Sequence, residues 1–188
     1  MAGARNFDLS KLKTFANEAN VFMKQLMEES DRGAALVGLA YLDELLKRLC
    51  EAKMLGDNAV RKRLLKYPGP LSTASARTDV AYILGWIGPE TYRDFVTLRG
   101  IRNKFAHAHA PVTFSDPAIE ALGRELHVSK ALSYRLKARD QFLVTASMLA
   151  LRLEYYRRDS QPPAPGCDPP VTPVDPAELE GAIPVEPQ

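Results

Sequence analysis

Cysteine is nearly absent from these 188 residues: Cys50 and Cys167 are the whole complement. Two distant thiols provide neither a disulfide framework nor the paired spacing of a zinc site. Long apolar runs are missing too, since the longest, Ala34 to Leu42, is far too short to cross a bilayer. The first 26 residues carry Arg5, Asp8, Lys11 and Lys13 and no apolar core of a signal peptide. The Pro68-Gly69-Pro70 break lacks the glycine-lysine-serine or -threonine chemistry of a phosphate loop, and no alternating apolar run demands a strand. These absences predict a cytoplasmic protein with no membrane span, no bound cofactor and no metal.

What is present divides the chain in two. Nine of the fourteen prolines fall between Pro162 and Pro187, alongside Asp168, Asp175, Glu178, Glu180 and Glu186, with no lysine or arginine after residue 159. Such a segment buries too little apolar surface to offset its ordering entropy, so residues 160–188 are expected to be a disordered, partly polyproline acidic tail. All 25 basic residues lie in residues 1–159, which makes that body more basic than the whole-chain charge of +2. A basic body is compatible with nucleic acid or with an acidic protein partner.

Within the body the period is helical. Leu9, Leu12, Phe15, Ala16, Ala19, Phe22, Met23 and Leu26 recur at steps of three and four, giving an amphipathic helix over Asp8 to Glu29. Ser30 and Asp31 are capping residue types before a second run carrying Leu36, Leu39, Leu42, Leu45, Leu46 and Leu49, expected at the bundle centre. A short basic helix is expected between Leu55 and Tyr67. Another, capped by Ser72 or Thr73, should run through Trp86 to the Gly88-Pro89 stop. A helix from about Glu90 then ends in Arg102-Asn103-Lys104-Phe105-Ala106-His107, and Ser115-Asp116-Pro117 opens a short helix to about Leu126. The last helix is expected over Ser129 to Arg158. The fold class is therefore all-α, a single antiparallel helical bundle over residues 1–159 followed by the tail.

The hexapeptide is the densest cluster of functional groups. At 100° per residue Asn103 and His107 share a face with Arg99, while Leu98, Ile101 and Phe105 form the core stripe and Arg102 lies at the border near Phe95. An arginine, an amide and an imidazole can bind an anion, position RNA or knit a core. In the structural alternative Arg102 pairs with Asp43 or Glu44 of the central helix, and Asn103 and His107 bond backbone at the helix end. His109 with His127 or Asp116 is too sparse a set for a metal. Arg32 reads as part of a capped helix start with a salt bridge, or as an anion-binding group there.

Four ordered stretches, Glu29-Ser30-Asp31-Arg32-Gly33, Leu42-Asp43-Glu44-Leu45-Leu46, Gly69-Pro70-Leu71-Ser72-Thr73 with Ser75-Ala76-Arg77, and Ile101 to His107, together resemble the mannitol repressor family. The resemblance covers roughly residues 25 to 125. It implies an all-helical bundle and a role in transcriptional regulation, with no established catalytic residues to carry over. More distantly, Arg102 and His107, with four residues between them beginning at Asn103, are similar to the arginine-x4-histidine pattern of the HEPN helical superfamily, many of whose members are metal-independent ribonucleases.

Direct DNA reading is not expected. Leu122 to Leu136 has the cadence of a helix-turn-helix, but His127 stands where a turn glycine is usual and the next helix continues as a bundle member. The expectation is a regulator acting through a protein partner, with Arg32, Asp43, Glu44, Arg99, Arg102, Asn103 and His107 as structural or partner-binding residues. A homodimer is also expected, from the abundant apolar surface of the last helix. The alternative is a HEPN-like ribonuclease acting on RNA, with His107 for proton transfer and Arg102 for phosphate charge, aided by Asn103.

Overall fold

The computed structural model describes residues 9–130 and 136–158, with side chains from residue 19 onward except 128 and 129. The described residues form eight helices and no strand: α1 (Leu9–Glu28), α2 (Asp31–Lys53), α3 (Asn58–Leu65), α4 (Ala74–Ile83), α5 (Pro89–His107), α6 (Pro117–Gly123), α7 (His127–Lys130) and α8 (Ala138–Arg158). The expected tail at 160–188 lies outside the described residues, as do the side chains of Leu9, Leu12, Phe15 and Ala16 and the segment 131–135.

α2 is the centre because its apolar residues face in several directions. Leu42, Leu46, Leu49, Ala34 and Ala35 are fully buried, and α1, α4, α5 and α8 all pack on it. Burying a leucine side chain contributes about 2 kcal/mol, so the interior is where the stability resides. Gly38 lets α2 come close to its neighbours: a Cβ there would sit 3.2 Å from the Phe142 ring and 3.4 Å from Leu26. Phe105, Phe114 and Phe142 form an aromatic chain through the core, with ring centroids 4.9 and 5.3 Å apart.

Contacts between helix ends fix the directions. Asp31, which opens α2, pairs with Arg139 at the start of α8, so these two helices begin side by side. α5 runs antiparallel to both, since its last turn meets Arg32 and its first turn meets Arg152 far along α8. The molecule thus has a near end, where α2 and α8 begin and α5 finishes, and a far end, where α5 begins.

Chain chemistry explains most boundaries. The Ser30 hydroxyl accepts from Gly33 N–H and opens α2, and Thr73 does the same for α4 through Ala76 N–H. Pro89 and Pro117 take the first turns of α5 and α6. Two expected helices are shorter than the periodicity suggested. α4 ends at Ile83 because the chain turns through Gly85 at φ +67, a left-handed angle that glycine tolerates. α6 ends at Gly123, short of Leu126. The single helix expected over Ser129 to Arg158 is corrected to α7 and α8, with Leu136 and Lys137 non-helical between them.

Candidate functional site

The outward stripe of α5 combines apolar and polar groups. Steps of three and four place Tyr92, Val96, Arg99, Asn103 and His107 along one side, opposite the buried Leu98, Ile101 and Phe105. Val96, Asn103, Lys104 and His107 are exposed, and Tyr92, Arg99 and Arg102 are half-buried. At the far end the Tyr92 ring stacks on Tyr82 of α4 at 4.5 Å, and its hydroxyl donates to Asp79 Oδ1 at 3.2 Å. That bond holds the phenol in its protonated form, raising its pKa above the usual tyrosine range, with Arg99 pulling weakly the other way. Ile83 and Leu84, which follow Tyr82 in the chain, are exposed apolar residues.

At the near end of the stripe Arg102 donates to its neighbour Asn103 Oδ1 at 3.1 Å. The expected pairing of Arg102 with Asp43 or Glu44 is corrected. Asp43 faces α4, where Arg77 holds it at 3.2 Å through Nε and 2.5 Å through Nη2, and the same guanidinium donates to Leu71 O at 2.8 Å. Glu44 is exposed on α2 and pairs within that helix, with Arg48 at 3.2 Å and Lys47 at 3.6 Å. Asp43 and Glu44 therefore point away from α5. Arg102 forms no ion pair among the described residues, and the hexapeptide's polar groups face outward. Five residues also put Arg102 and His107 about 140° apart on the helix, so one copy does not converge them on a single point.

The backbone at the end of α5 is satisfied from elsewhere, a second correction. Arg32 of α2 donates to Ala108 O at 3.1 Å and Ala106 O at 3.4 Å, so the carbonyls are capped by a cation from another helix rather than by Asn103 and His107. Arg32, with Phe105, His109 and Val112, lines an open cavity of about 360 Å³ at this point. Asp31 beside it accepts from Phe114 N–H at 2.9 Å and pairs with Arg139. Arg139 also donates to Glu29 O at 2.6 Å and Met27 O at 3.3 Å, capping α1. The Glu29-to-Gly33 motif is thereby a junction of α1, α2, α5, α8 and the loop around Phe114.

Two polar residues inside the fold carry ties that the periodicity did not single out. Asp94 is fully buried and accepts from the His127 backbone N–H at 2.7 Å, with the His127 Nδ1 at 3.1 Å. Its signal is an acid on the core stripe of α5, one turn before Leu98. Arg152, 4% exposed in α8, reaches Thr91 Oγ1 at 3.3 Å and Glu90 at 3.6 Å. Cys50 is buried without a disulfide, and burial pushes its thiol up to about 12. No group of three or more metal-ligating side chains occurs among the described residues, and His109 lines the cavity beside Arg32 instead. Within the 122–136 stretch α6 stops at Gly123 and Asp94 holds His127 to the bundle, while residues 131–135 lie outside the described residues. No described helix is long and apolar enough to cross a membrane.

Comparison with known proteins adds an independent line. The family model described as mannitol repressor matches residues 39–157. Among solved structures, a chain of the X-ray structure of the MtlR-HPr complex from Escherichia coli superposes with a TM-score of 0.60 at 22% identity, covering 73% of this chain and 96% of that one. At that identity the superposition establishes the fold. No curated protein matches the chain.

Proposed function

The chain belongs to the mannitol repressor family, and from that premise we propose that it regulates transcription by binding a protein partner rather than by reading DNA. The partner we favour is HPr or a protein like it, because the similar fold was solved in the MtlR-HPr complex. That shared fold is the observation that carries the reading. The tie of the His127 backbone to the buried Asp94, which holds the middle of the 122–136 stretch to the bundle, supports its indirect character. Titration of the full chain with purified HPr in a calorimeter should give saturable binding. Promoter DNA at physiological salt should show no sequence-specific retardation that survives competitor DNA. Retardation that does survive would overturn the indirect mechanism.

A second reading rests on the outward, unpaired state of Arg102 and the exposure of His107. Two copies of this stripe facing one another in a homodimer could surround an RNA phosphate, the guanidinium stabilising charge and the imidazole moving a proton. Incubation of RNA in EDTA with the wild-type chain and with His107→Ala tests it. Cleavage that needs His107 supports the ribonuclease; no cleavage across varied RNAs, or metal-dependent cleavage that the substitution spares, removes it.

A further inference from the structure

The outward stripe of α5 has an ordered chemistry that matches the residues following α8. Its far end is apolar and aromatic: Tyr82 stacked on Tyr92, with Ile83 81% and Leu84 53% exposed. Its near end is cationic and polar, with Arg99, Arg102 and Asn103. Residues 159–188 lie outside the described structure, but their sequence has the same order. Pro162, Pro163 and Pro165 come first, in a stretch without acids from Ser160 to Cys167, and the acids begin at Asp168.

The starting point is also right. Arg152 touches Glu90 and Thr91 at the first turn of α5, and α8 ends at Arg158, about 9 Å further along its axis. The proline-rich segment therefore leaves the bundle at the same end as the Tyr82–Tyr92 stack. From Tyr92 to Asn103 the stripe is about 17 Å long. In a polyproline conformation Pro162 to Asp168 spans about 19 Å. Prolines laid on the aromatic end would thus bring the first acid beside Arg99 and Arg102.

We propose that the proline-rich C-terminal segment of this chain docks along its own α5, prolines on the Tyr82–Tyr92 surface and acids on Arg99 and Arg102, covering the outward face of the hexapeptide. Proline segments recognise aromatic-lined surfaces because their backbone is already ordered and little entropy is lost on docking. The two acids at the aromatic end, Asp79 on Tyr92 and Glu90 on Arg152, face the part of the segment that carries no acid. The opposite register would bring like charges together there. Such a cover competes with any partner that uses this stripe, so it goes beyond the proposed function and does not depend on the partner's identity.

The full-length chain carries its own probe site. Cys50 is buried, so a thiol-directed nitroxide attaches to Cys167 under native conditions. In the ¹⁵N-labelled protein the nitroxide should erase the amide signals of Val96, Arg99 and Asn103 and leave those of α3 intact, the losses reversing when ascorbate reduces the label. Arg99→Glu should restore much of the lost intensity, with the rest of the spectrum unchanged as a check on folding. The proposal is overturned if the α5 signals survive labelling, if Arg99→Glu leaves the losses as they were, or if mixing labelled ¹⁴N protein with unlabelled ¹⁵N protein reproduces them. That last result would assign the stripe to a second copy.

Discussion

At the near end of the bundle the helix ends are tied by residues far apart in sequence, whereas at the far end α2 is closed by a local tie. Arg32 reaches carbonyls 74 and 76 residues away, Asp31 a backbone amide 83 away, and Arg139 a carbonyl 110 away. The far end closes α2 with Arg61, only ten and seven residues from its acceptors Glu51 O and Met54 O, and leaves Ile83 and Leu84 in solvent. Arg152 adds a long-range tie there, to the first turn of α5. A region whose helix ends are satisfied by distant side chains resists local opening, and one with exposed apolar groups and local caps retains surface for binding. The Glu29-to-Gly33 motif, on this account, organises the fold, and the outward stripe of α5 is surface left free of that task.

The largest expected effect falls on the near end. Asp31→Ala removes the acceptor of Phe114 N–H and leaves Arg139 without its carboxylate, and it should cost about 3 kcal/mol. Urea denaturation followed by circular dichroism should show a lower midpoint with an unchanged slope. A loss comparable to that of a surface substitution would dissolve the contrast between the two ends.

That contrast was only partly legible in the sequence. The order of the first six helices, the capping roles of Ser30 and Thr73, the first-turn place of Pro117, and the buried stripe Leu98, Ile101 and Phe105 follow from period and local chemistry, which act over a few residues. The pairings do not. Asp43 was expected to pair with Arg102, and its pairing with Arg77 instead depends on how α4 and α5 are placed around α2, a three-dimensional fact. Arg139 is an ordinary first-turn arginine until α1 and α2 are placed against it. The division of the last helix into α7 and α8 was hidden because leucines at helical spacing continued across it. The site was legible as a cluster of groups at Arg102 to His107, but its outward orientation became evident only once Arg77 and Arg32 had taken the roles first given to Arg102, Asn103 and His107.

Alkaline pH probes the far half of α2 through Cys50. Its folded pKa, about 12, lies above the ordinary value of 9.0. Below pH 9 both folded and unfolded chains keep the proton and there is no penalty. Between 9 and 12 the unfolded chain loses its proton while the folded one keeps it, so stability falls as pH rises. By pH 10.5 the wild type should have lost about 2 kcal/mol more than Cys50→Ala, relative to each protein at pH 8. Equal losses in the two proteins would mean that the thiol is accessible in the folded state and that the far half opens more readily than its burial implies.

Arg32→Ala should have a smaller effect than Asp31→Ala although the two residues are adjacent. Its guanidinium is exposed and caps two carbonyls that water can also reach, which makes the interaction worth about 1 kcal/mol. Faster hydrogen exchange should be confined to the last turn of α5 and the loop after it. Exchange spreading through α8 would show that Arg32, and not Asp31, holds the junction together.

Leu84→Ser should change stability least of all, by within about 0.5 kcal/mol. Leu84 is the C-cap of α4, and its backbone N–H bonds to Val80 O whatever the side chain, while the side chain itself is more than half exposed. Removing it withdraws little apolar area from the core, yet it alters the surface beside the Tyr82–Tyr92 stack. Thermal unfolding should therefore match the wild type, and the nitroxide-induced losses at Val96 and Arg99 should weaken. A large stability loss would make Leu84 part of the core and leave the far end no freer than the near one; unchanged stability with weaker docking is the outcome that separates a binding surface from a structural one.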